Sequence, residues 1–128
     1  MEKIVNTVLA HLGIDPVTVD VGVHFVGADE IRGLNKQHRG KDKVTDVLSF
    51  PMLHLVAGAV PTPGEHPYDV DPTTGRLGLG DVVVCEDETE VAQLVVHGVL
   101  HLLGYDHETD EDEETMNEVA GAILRKLA

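Results

Sequence analysis

A chain of 128 residues, 42% hydrophobic and 25% charged, is long enough to bury one core and too ordinary in composition for a wholly disordered or fibrous protein. Its single cysteine excludes an intramolecular disulfide, and no apolar run approaches the ~20 residues that span a bilayer. The formal charge of −14 opposes capture of polyanions in general. However, five of the nine basic side chains (Arg32, Lys36, Arg39, Lys41 and Lys43) share one twelve-residue stretch, so a local basic face is expected on an acidic protein.

The elements read as follows in chain order. Met1 to Ile4 leads into an amphipathic segment rather than a signal-peptide core, so the expected address is the cytoplasm. Ile4, Val5, Val8, Leu9 and Leu12 follow helical spacing up to Gly13, predicting a helix over Glu2 to Leu12. After Pro16 the pattern changes to alternation, with Val17, Val19, Val21, Val23 and Phe25 on one face of a strand. A second helix is predicted from Asp29 to His38, ending before Gly40. Val44 to Pro51 reads as a second strand closed by proline.

Ala57 to Gly80, with four prolines and five glycines, reads as a long loop or irregular hairpin. Asp81 to Cys85 reads as a third strand, and its run of three valines predicts burial on both faces. Cys85 is expected to be a small buried hydrophobe. Asp87 and Glu90 stand in the relation of a capping box before a helix that carries Val91, Leu94, Val95, Leu100 and Leu103 and ends at Gly104. Thr109 is the expected cap of a last helix, with acids in its first turn and Arg125 and Lys126 in its last. No repeat or boundary divides the chain, so one domain over residues 1–128 is expected.

Chemistry concentrates in the segment His97 to His107. Two histidines four apart lie about 40° apart around a helix and ~6 Å apart along it, so His97 and His101 can reach one ion. On an unbroken helix His107 would lie ~15 Å from His97 along the axis, and the chain must turn back to bring it near. Gly104 is placed for that turn, since glycine takes positive φ without steric cost. Three imidazoles leave a fourth tetrahedral position free for water or substrate, the pattern of catalytic zinc. One zinc ion per chain is the expected cofactor, although imidazole also suits other divalent transition metals. Asp106 or Glu108 is expected to orient a ligand histidine.

The same histidine and glycine spacing occurs in the H-E-x-x-H-x-x-G-x-x-H motif of metzincin proteases, where the glutamate is the general base. Here Gly98 occupies that position, which counts against a metallopeptidase.

The segment also resembles the H-G-x-L-H-L-x-G-Y-D-H signature of the YbeY family, bacterial metal-dependent endoribonucleases of ribosomal RNA maturation. Asn35 and Arg39 followed by Thr45-Asp46-Val47-Leu48-Ser49-Phe50-Pro51, and Leu79-Gly80-Asp81-Val82-Val83-Val84-Cys85, match the family in the same order. The resemblance implies an α+β domain with a mixed, four-stranded sheet packed with helices and a zincin-like histidine helix. It also implies cleavage of single-stranded RNA in maturation of the 3′ end of small-subunit (16S) rRNA, contact with ribosomal components and no membrane partner; no oligomeric state follows.

Carried across by position, the metal ligands are His97, His101 and His107, and the catalytic arginine is Arg39, whose guanidinium presents two parallel donors to a phosphate. Thr45 and Asp46 are expected to line the cleft. One departure stands out: only eleven residues separate Cys85 from His97, where members of the family carry a longer connection with much of an additional helix. Two other readings remain, a metallopeptidase and a ribosome-biogenesis binding factor whose metal serves only the fold.

Overall fold

The valine alternation after Pro16 becomes a strand two residues later than the pattern begins. Pro16–Thr18 first forms a turn of 3-10 helix, capped by the Asp15 carboxylate, which accepts from the Val17 N–H at 3.1 Å. The computed structural model describes all of residues 1–128. It runs α1 (Glu2–His11), β1 (Val19–Val26), α2 (Ala28–Arg39), β2 (Val47–Pro51), β3 (Leu77–Cys85), α3 (Val91–Leu102) and α4 (Asp110–Leu127). The architecture is α+β, as expected.

The sheet is mixed, in the order β1-β3-β2, with β1 parallel and β2 antiparallel to the central β3. It has three strands and not the four that the resemblance implied. Between β2 and β3 the chain pairs only through an isolated bridge, Val70 to Leu77. Prolines at 61, 63, 67 and 72 remove ladder donors along that stretch, so no fourth strand propagates there.

β3 begins at Leu77, four residues before the valine run, which takes Leu77 to Gly80 out of the expected loop. Leu77 and Leu79 are completely buried. Asp20 opposes Gly78 and Val21 opposes Gly80, so Leu79 is an extra residue bulged into β3. Gly80 follows the bulge at φ +133, and a Cβ there would fall 2.3 Å from the Phe50 carbonyl oxygen.

Both faces of β3 are covered, as the valine run predicts. Val82 and Val84 pack toward α1, α3 and α4 in the main core, which includes Val8 and Leu9, Val95 and Val99, and Met116 and Ile123. Val83 and Cys85 face the other way and join Leu48 and Ile31 beneath α2. Burial of such a side chain contributes about 1.5–3 kcal/mol, so this packing holds α3 against the sheet. The histidine segment therefore rides on the best-buried helix of the fold.

Candidate active site

α3 starts at Val91 with Glu90 as its N-cap and no side-chain capping bond. The capping box expected from Asp87 and Glu90 does not form, because Glu90 is itself the cap rather than the third helical residue. Apolar burial, not capping, holds this helix: Val95, Val96, Val99, Leu100 and Leu102 are all completely buried. Gly98 faces the sheet at its closest approach, where an added Cβ would stand 2.5 Å from Val82 Cγ1. A side chain there would have to displace the buried Val82 methyls, which counts against a glutamate at the position where metzincins carry their base.

The helix ends as Gly104 predicts. Gly104 has φ +96, its N–H donates to the His101 carbonyl at 3.1 Å, and the Tyr105 N–H donates to the Leu100 carbonyl at 3.0 Å. These two bonds are a Schellman turn. The turn swings His107 back beside His101, with ring centroids 5.4 Å apart and nearly perpendicular. Gly104 is needed for packing as well, since a Cβ there would lie 2.2 Å from the Leu55 carbonyl oxygen.

Backbone carbonyls set the tautomers of the two helical histidines. His97 Nδ1 donates to the Gln93 carbonyl and His101 Nδ1 donates to the Tyr105 carbonyl, each at 2.9 Å. A carbonyl only accepts, so in the neutral ring the proton sits on Nδ1 and Nε2 keeps a free lone pair, the form a metal requires. Burial pushes the His101 pKa below the usual histidine value; the Tyr105 hydrogen bond opposes this, while His107, His97 and Arg39 add to it. For His97 and His101 the orienting partners are these carbonyls. Asp106 Oδ1 accepts from the Glu108 N–H at 3.3 Å, and both residues line the cleft.

The three imidazoles do not meet at one point: no three His, Cys, Asp or Glu side chains converge as a coordinated ion would require. His101 and His107 are adjacent, whereas His97 stands one turn back on α3, off the cleft lining. The donor chemistry fits a divalent transition metal, because both helical rings present Nε2 and His101 is held neutral by burial.

The cleft beside the Schellman turn encloses about 720 Å³ and is lined by His101 and His107, by Arg39 from the end of α2, and by Asp46 and Ser49 from β2 and its approach. Arg39 Nη2 donates to the Ser49 carbonyl at 3.0 Å, and Ser49 Oγ donates to the Gly98 carbonyl at 3.1 Å. This relay ties the arginine through β2 to the middle of the histidine helix. Only one of the five guanidinium N–H donors is used in the bond to Ser49, so the rest can meet an anion.

Asp46 reaches the cleft, but Thr45 does not line it and makes only a long 3.5 Å contact with the Asp46 carboxylate. Sequence reasoning missed Ser49 and His54, which also lines the cleft. Each had a signal: a polar residue inside an apolar strand, and a histidine between two leucines.

The model of the family described as Endoribonuclease YbeY matches residues 1–128. The Endoribonuclease YbeY of Acinetobacter baumannii is 40% identical over 141 aligned positions, covering 99% of this chain and 81% of that protein. That of Thermoanaerobacter sp. is 39% identical over 144 positions, covering 99% of this chain and 85% of that one. Both alignments are longer than the 128 residues of this chain, so these relatives carry residues it lacks, in keeping with the short link from Cys85 to His97. Among solved structures, the solution structure of TM1509 from Thermotoga maritima superposes with a TM-score of 0.51 at 27% identity, covering 98% of this chain and 82% of that one. A match along the entire chain, with the histidine turn and Arg39 gathered at one cleft, makes this chain a member of the YbeY endoribonuclease family.

Proposed function

We propose that this protein is a zinc-dependent endoribonuclease that cuts single-stranded RNA and acts in the cytoplasm on the 3′ end of small-subunit (16S) rRNA, in contact with ribosomal components. The observation that carries the reading is the one cleft lined by Arg39 and by the His101–His107 pair. The family supports RNA as the substrate, since its curated members are named endoribonucleases. No helix is long and apolar enough to cross a membrane.

His97, His101 and His107 would hold the ion, which when bound supplies Lewis acidity to a phosphodiester. The chain's own groups supply the rest. Arg39, braced by the Ser49 carbonyl, offers its remaining donors to the non-bridging oxygens, and a bidentate pair there is stronger in the charge-rich transition state than in the ground state. The open mouth admits an unpaired strand.

The test is cleavage of an unstructured RNA by protein purified without metal-affinity resin, with an unstructured protein substrate beside it. RNA cutting that disappears in His101→Ala supports the reading. Equal cutting by the variant would trace the activity to a contaminant. Binding of ribosomal particles with every RNA left intact would instead favour a non-catalytic biogenesis factor.

A further inference from the structure

Chain cleavage needs a group that hands a proton to the departing ribose oxygen, because an alkoxide is a poor leaving group at neutral pH. Beside the carboxyl groups of Asp46, Asp106 and Glu108, the Arg39 guanidinium and the buried Tyr105 phenol, the cleft is lined by imidazoles, the side chain most often used to transfer a proton. His101 and His107 are committed to the metal in the reading above, on which this inference rests. The cleft holds one more imidazole, that of His54.

His54 follows β2 in a segment without regular structure and is exposed, yet the backbone that carries it is fixed at several points. The Met52 N–H donates to the Leu79 carbonyl at 3.1 Å. Leu53 is buried in the main core and Leu55 packs against it, so alternation turns His54 outward between them, toward the cleft. The Leu55 carbonyl and Ala57 N–H sit directly over Gly104, close enough that a Cβ there would lie 2.2 Å from the one and 3.0 Å from the other. The segment bearing His54 and the turn that delivers His107 are thus packed backbone to backbone, and both histidines line the one cleft.

The geometry points to His54 as a further catalytic residue, the acid that protonates the leaving oxygen. The attacking oxygen, of water or of the RNA 2′-hydroxyl, forms its bond to phosphorus and releases its proton to solvent. The bond from phosphorus to the bridging ribose oxygen breaks, the electron pair stays on that oxygen, and the His54 imidazolium gives it a proton and becomes neutral.

The experiment compares His54→Ala and His54→Gln with wild type on two RNAs, one natural and one whose leaving bridging oxygen is replaced by sulfur, which departs without a proton. Both variants should cut the natural RNA about 10²–10⁴-fold more slowly and the sulfur-substituted RNA within about threefold of wild type, with metal content unchanged. Equal losses on both RNAs, recovery of the natural rate by His54→Gln, or no loss at all would overturn the assignment. So would metal lost with His54, which would make it a ligand. Wild type inert toward both RNAs would instead overturn the nuclease reading itself.

Discussion

Replacing Gly98 with alanine puts two known effects in opposition at one atom. In an unhindered helix interior the change stabilises by about 1 kcal/mol, because alanine restricts the unfolded chain. At Gly98 the new methyl would lie 2.5 Å from Val82 Cγ1 and 3.1 Å from Val82 Cγ2, on a completely buried side chain of the central strand. Overpacking of this kind costs about 1–3 kcal/mol, and a branched side chain in a central strand has little freedom to yield, which favours the upper end. The expected net loss is about 2 kcal/mol, or a Tm lower by roughly 5–10 °C in a domain of this size.

Gly33 in α2 is the internal control, since a Cβ there meets nothing within 4 Å. Gly33→Ala should raise stability by up to about 1 kcal/mol. Urea and thermal unfolding followed by far-ultraviolet circular dichroism suit a chain without tryptophan. In Gly98→Ala/Val82→Ala the two losses should fail to add by about 1 kcal/mol or more, because the new methyl occupies space that Val82 gives up. If Gly98→Ala is as favourable as Gly33→Ala, position 98 has room for a side chain and crowding by Val82 does not count against a peptidase glutamate.

Three further outcomes follow from the same contacts. Arg39→Ala should slow RNA cleavage by about 10²-fold or more with metal content unchanged, read by parallel kinetics and elemental analysis; metal lost in step would give Arg39 a structural role. Thr109→Ala removes the hydroxyl that accepts from the Asp112 N–H at 3.0 Å and should cost about 1 kcal/mol in urea unfolding. Burial, with Lys126 adding to it, holds the His11 pKa below its ordinary value of 6.5. The unfolded chain therefore binds that proton more readily. Stability should fall as pH drops below about 6.5, levelling off below the folded value, and His11→Leu should show a shallower slope between pH 7.5 and 5 than wild type.

Much of this fold was legible wherever local chemistry decides the outcome. The Thr109 cap and the Schellman turn at Gly104 are written in single residues, and the three central valines signal burial on both faces. What escaped depends on distant partners. Leu77-Gly78-Leu79-Gly80 reads as loop because glycine is a poor strand former, yet pairing with β1 and a bulge draws it into the sheet. The link from Arg39 to the Ser49 carbonyl joins residues ten apart on two elements, and the capture of Leu55 over Gly104 joins residues far apart in sequence; neither leaves a periodic trace. Spacing points to His97, His101 and His107 as ligands, and the fold brings His101 and His107 edge to face while leaving His97 a turn away.

The central claim, that this cleft cuts RNA with a metal held by its histidines, is tested most directly by stripping the protein and titrating zinc back while following cleavage of a single-stranded RNA. Activity should be absent at the start, rise with added zinc and level off at one equivalent per chain, and His107→Ala should stay inert throughout. Full activity in the stripped protein, or a titration of His107→Ala that matches wild type, would contradict the account.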